Sequence, residues 1–69
     1  MALSDLDLRF TYHAPKADQP ERYTQIRSTA KKFAEQICAL TPESREQSLA
    51  LTKLEEAVMW ANAAIARRE

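Results

Sequence analysis

The chain has no glycine, a single cysteine, a single histidine and no excess of either charge sign. Each of these absences removes a class of design. Without glycine, the tight hairpin turns that need positive φ lose their usual residue, so an all-β architecture is disfavoured and helices become the default. One cysteine, Cys38, allows no internal disulfide, and one cysteine plus one histidine, His13, cannot furnish the four ligands of a structural zinc site. No cofactor is expected. Ten basic residues balance ten acidic ones, a formal net charge of zero, so there is no broad field for a DNA or RNA polymer or for an anionic membrane. Any anion must be held locally. The opening stretch MALSDLDLRF carries two aspartates and no unbroken apolar run, which predicts neither a signal peptide nor a membrane span. A soluble intracellular protein is the expectation, and the lone thiol agrees with a reducing compartment.

The same absences decide how so short a chain is stabilised. Sixty-nine residues make one domain, and a domain of that size hides only about 60% of the surface its unfolded form exposes. Disulfides, a structural metal or partner subunits are the usual supplements, and the first two are already gone. Self-association remains.

What the sequence does contain is helical pattern. Residues 19–40 open on Asp18-Gln19-Pro20-Glu21, where Asp18 or Gln19 can stand as N-cap, Pro20 suits the first turn and Glu21 can close a capping box from Asp18. From there Ile26, Ala30, Phe33, Ile37 and Leu40 recur at spacings of four and three, one apolar stripe that Tyr23 and Ala34 widen. Arg22, Gln25, Lys32, Glu35 and Gln36 fall on the wet side. A second helix is predicted over 42–67, roughly 40 Å long, with Thr41 as N-cap and Pro42 at its first position. Leu51, Leu54, Val58, Ala61 and Ile65 form one stripe on it. Ala50, Ala57, Trp60 and Ala64 form another, turned partly away from the first, and a two-helix chain has no internal partner for it.

With almost no link between them, the two helices must lie antiparallel. Residues 1–17 read as an N-terminal arm: Leu6, Leu8, Phe10 and Tyr12 alternate at period two, Pro15 pushes Ala14 toward an extended conformation, and a short turn of helix can begin near Ser4. The fold class is therefore all-α, an antiparallel two-helix hairpin with an N-terminal arm or short helix, assembled into a helical oligomer.

Catalytic chemistry finds little support. The only imidazole sits in the arm with no third group to orient it, and Cys38 reads as a small packed residue beside Ile37. Glu43, Glu46, Glu55 and Glu56 read as a solvated helix face. Binding is better served. The run Arg9-Phe10-Thr11-Tyr12-His13-Ala14-Pro15-Lys16 mixes aromatics, cations, a hydroxyl and an imidazole in a segment the hairpin core does not need. Aromatic faces stack on nucleobases at about 1–3 kcal/mol each, and Arg or Lys meets phosphate. The plainer alternative is that Phe10 and Tyr12 staple the arm to the helices. Arg27 and Lys31 share a face of the first helix, either a solvated surface or a phosphate contact. Arg67 and Arg68 complement the negative end of the second helix, and in a symmetric oligomer could also converge on an axis.

These residues also resemble a known family. The arm Phe10-Thr11-Tyr12-His13-Ala14-Pro15-Lys16, the run YTQIRSTA from Tyr23 to Ala30, and above all SREQSLALTKLEEAVMWANAAIAR from Ser44 to Arg67 are similar to the small phage anti-CBASS proteins that act as cyclic-nucleotide sponges. The resemblance implies a helical hexamer of interlocked subunits that acts in the cytoplasm of the infected bacterial host. It would sequester cyclic dinucleotides such as cyclic GMP–AMP without cleaving them. It assigns Tyr12 to a base and Arg27 and Thr29 to the phosphates, with Arg27 where the family carries a lysine and Lys31 able to serve beside it. Some members also hold cyclic trinucleotides at a separate site, for which Arg67, Arg68 and His13 are the matching candidates. Two other classes stand against this one: a protein-binding inhibitor that docks through the Trp60 face, and a nucleic-acid binder, which the zero net charge disfavours.

Overall fold

A computed structural model describes residues 3–69; Met1 and Ala2, the start of the expected arm, lie outside the described residues. Three helices follow one another: α1 over Leu3–Phe10, α2 over Gln19–Leu40 and α3 over Arg45–Arg68. No strand occurs among the described residues. The last two helices form the antiparallel hairpin, and α1 stands almost clear of both. The result is a slab of 45 × 30 × 13 Å.

The arm is helical where its period-two alternation suggested an extended chain, so the short helix expected near Ser4 is the form it takes. Asp5 in the first turn and Arg9 in the last complement the helix dipole, and a four-point alternation is too brief to override that. The helix stops at Phe10, where the His13 ring folds back and Nε2 donates to the Leu8 carbonyl at 2.8 Å, occupying an acceptor left open by the last turn.

The two long helices meet along a seam. Tyr23, Ile26, Ala30, Ala34 and Ile37 on α2 face Leu51, Leu54, Val58, Ala61 and Ile65 on α3, as the stripes predict. Phe33 and Leu40 do not join it. Ala34 takes the seam position and leaves Phe33 turned about 100° aside, and both Phe33 and Leu40, the last residue of α2, are exposed. Arg22, expected on the wet side, is half-buried, and Cys38, expected to pack, is exposed. Among the described apolar residues only Ile65 is buried.

α2 keeps its expected bounds but not its expected capping box, and α3 starts later than the sequence suggests. Asp18 occupies the N-cap of α2, but at φ −89° and ψ 8° its carboxylate caps nothing, and the box with Glu21 does not form; Asp18 pairs instead with Arg22 at 3.2 Å. The second helix begins at Arg45 rather than at 42, because Thr41 closes α2 instead of opening α3. Its backbone N–H and its hydroxyl both donate to the Ile37 carbonyl, at 3.1 and 2.6 Å. Ser44 is the true cap, accepting from the Gln47 amide at 3.1 Å, and Gln47 reaches back to the Thr41 carbonyl and hydroxyl. The connection is thus residues 41–44.

Candidate functional site

Arg27 lies where two grooves meet. One, of about 650 Å³, runs between the middles of α2 and α3 and is lined by Arg27, Lys31, Thr52 and Glu55 over an apolar floor of Ala34 and Leu51. The other, about 730 Å³, lies below it between Pro15 of the arm, Tyr23, Thr24, Met59 and Asn62. Both share Arg27 and Met59, so they open on the same side of the hairpin. Arg27 and Lys31, four residues apart, therefore project one cationic edge along this side. The lower groove also holds a carboxamide that the sequence did not single out: Asn62 Oδ1 is buried without a hydrogen-bond partner.

Thr29 is elsewhere. It lines a third groove with Gln25, Phe33 and Ala57, across the Ala30–Leu54–Val58 seam from Arg27. Residues two apart on a helix are turned by about 200°, so Arg27 and Thr29 of one chain cannot face a common ligand. Tyr12 is 83% exposed and Phe10 is exposed beside it, with the Arg9 guanidinium 5.9 Å from the Phe10 ring centroid. The stapling alternative is thereby ruled out within the chain.

At the far end of the hairpin the arm, α2 and α3 are tied together. Gln19 is the only described polar residue that is fully buried, at 3% exposure. Its Nε2 donates to the Ile65 carbonyl at 3.2 Å and to Glu69 Oε1 at 3.3 Å, while its Oε1 accepts from the Lys16 amide at 3.1 Å. Arg22 grips both Glu69 carboxylate oxygens, one at 2.8 Å. That grip, and then the Gln19 hydrogen bond, pull the Glu69 carboxyl down to about 2 from its ordinary 4.5, and the same contact raises the Arg22 guanidinium above its usual range. Lys16 Nζ adds a bond to the Glu69 backbone carbonyl at 3.2 Å. Arg67, half-buried, and Arg68, exposed, sit in the last turn of α3 next to this cluster. His13 is not brought to them by any described bond; its Nε2 is committed to α1.

The sequence carried one readable sign of Gln19. Positions 19, 23, 26 and 30 follow a single helical stripe, and a polar residue on an apolar stripe needs partners. Its reading as a cap hid that.

A family model described as the Acb2/Tad1 hairpin domain matches residues 4–66, spanning all three helices. The chain belongs to this family. Acb2/Tad1 proteins are phage anti-CBASS sponges that bind cyclic oligonucleotide signals and sequester them rather than acting enzymatically. The match fits the hairpin, whose chemistry-bearing residues line open grooves and an exposed arm. Comparison with curated proteins and with solved structures gives no match. Among the described residues no group of histidine, cysteine and carboxylates is arranged to hold a metal ion, and no helix is long and apolar enough to cross a membrane.

Proposed function

We propose that this Acb2/Tad1 chain captures cyclic dinucleotides of the cyclic GMP–AMP type, uncleaved, in sites shared between subunits of a homo-oligomer in the infected host cell. The observation that carries this reading is the opposed placement of Arg27 and Thr29 on α2. If both meet the ligand, two chains supply them. Tyr12 then comes from an exposed arm to stack on a base, Arg27 and Lys31 hold one side of the phosphate ring, and the unpaired Asn62 carbonyl offers an acceptor to a base amino group.

Surface area supports the assembly. The chain exposes 5656 Å², whereas a folded monomer of its mass exposes about 4,400 Å². The excess of about 1,200 Å² is of the order that one stable interface buries. Its radius of gyration, 15.2 Å, likewise exceeds the roughly 11 Å of a compact chain this long. The proposed assembly is the hexamer that the resemblance implies, with Arg67, Arg68 and His13 as candidates for a separate cyclic trinucleotide site.

A decoy that must win a trace signal needs nanomolar affinity, about 12 kcal/mol. Two stacked bases and two phosphates enclosed between subunits can supply it. The test is to load the protein with cyclic GMP–AMP, heat-denature it and chromatograph the supernatant. Intact cyclic ligand is expected; linear products would overturn the non-enzymatic reading. A panel of cyclic di- and trinucleotides that produced no thermal shift would overturn the sponge reading for this chain. One observation favours a second reading: Trp60 is 64% exposed, a surface on which an inhibitor could dock a host protein. A measured mass equal to one chain would turn the argument that way.

A further inference from the structure

We propose that Gln19 is a positioning residue for ligand capture: by locking the 13–18 segment onto the end of α3, it sets where the arm presents Tyr12. This rests on the assignment of Tyr12 to the ligand. The lock has two independent signs. The first is the Gln19 bond set, which joins three parts of the chain through one buried carboxamide. Its Oε1 holds the Lys16 amide, and its own backbone N–H donates to the Lys16 carbonyl at 3.0 Å, so residues 16–19 form a loop closed from both sides. Its Nε2 fastens that loop to Ile65 and Glu69 at the end of α3. Both amide protons and one of the two lone pairs on Oε1 are committed within the chain.

The second sign is backbone strain within the loop. Ala17 has φ 51°, the left-handed region, and is the only non-glycine residue described there. A residue with a Cβ is held in that region only when its surroundings over-determine it. Here the surroundings are the bonds of Gln19 on one side and Lys16 on the other.

The direction fixed at Ala17 is carried back along the chain. Pro15 restricts Ala14 to extended conformations, and the His13 ring is hydrogen-bonded to Leu8. Tyr12 lies between these fixed points, exposed but not loose. A stacking ring presented in place avoids the ordering cost that a mobile arm would incur on binding. The sponge's arm therefore needs no packing of its own against the hairpin; a loop of six residues and one glutamine replace it.

The test compares Gln19→Leu, which keeps the volume and removes the bonds, with wild type in the assembled protein, by calorimetric titration with cyclic GMP–AMP and by amide hydrogen exchange. Expected are an affinity at least tenfold lower, unchanged oligomer mass, and faster exchange confined to residues 11–18. Gln19→Glu alone should be equally impaired, since it sets two carboxylates against each other. Adding Glu69→Gln relieves that repulsion but leaves the Ile65 carbonyl without its donor, so affinity should recover only in part, a recovery that simple loss of core packing would not allow. Ala17→Val, at an exposed position that cannot unfold the hairpin, should weaken binding through the backbone, whereas Ala17→Gly should not. Wild-type affinity in Gln19→Leu, or unchanged exchange in the arm, overturns the proposal. Wild-type protein that binds no cyclic GMP–AMP overturns the ligand reading instead, and the exchange measurement still decides whether Gln19 fixes the arm.

Discussion

Tyr12 separates the two roles an aromatic can have in a small protein. Its ring is exposed in the single chain, so its removal costs the hairpin nothing by burial. Tyr12→Ala is expected to change thermal stability by no more than about 0.5 kcal/mol, as surface substitutions do, while abolishing calorimetric binding of cyclic dinucleotide. A collapse of the assembly on this substitution would mean that the ring is packed between subunits instead. Glu69 makes a different kind of statement. Its carboxyl is depressed from 4.5 to about 2 in the folded chain, so the stability it contributes is fully present above about pH 4.5 and is lost as the pH falls toward 2. The gap in urea midpoint between wild type and Glu69→Gln should accordingly be constant above pH 5 and close below 4.5. At this scale the sequence was informative about type and poor about address. Arg27 and Lys31 share the face that their spacing dictates, but nothing in a linear pattern says that Gln19 will lie under Glu69, fifty residues away.

Among the elements, the long helices were legible because their apolar periodicity extends over many turns and tolerates a misplaced member such as Phe33. The start of α3 was not. Thr41-Pro42 and Ser44-Arg45-Glu46-Gln47 are both acceptable helix starts, and the choice falls on the second because the Thr41 hydroxyl is already bonded to Ile37. Ser44→Ala should therefore cost about 1 kcal/mol, a fall in melting temperature of about 4–8 °C for a chain this size, whereas Thr41 should behave as a residue of the α2 terminus. The short α1 was only half legible. Its alternation pointed one way and its end charges the other, and eight residues carry too little of either to decide. In a chain without glycine the one left-handed residue among those described falls on Ala17. Ala17→Gly is expected to raise the melting temperature, by up to about 1 kcal/mol of stability, since the αL penalty it removes exceeds the entropy that glycine adds.

For the molecule as a whole, the second apolar face of α3 is the feature that sequence periodicity revealed most clearly. Ala50, Ala57, Trp60 and Ala64 are all exposed on the single chain, just as a stripe without an internal partner must be. Trp60→Ala is expected to lower the mass measured by light scattering before it alters helix content at high concentration. A variant that stays fully assembled would move the interface to another face. The proposed site would be divided by the same logic. Tyr12, Arg27 and Thr29 could be named one by one, but their distribution over three surfaces of the protomer is a property of packing that no spacing within the chain encodes. The scarcity of buried side chains has one more consequence. If the proposed oligomer forms, a subunit whose only buried apolar residue among those described is Ile65 has a folded fraction set by how many copies surround it, and dilution should lower its melting midpoint. A decoy consumes its target one for one, so it must be made in quantity to be useful. Below that dose the chain would be prey for proteases; above it, the same abundance that outnumbers the signal would also fold the protein.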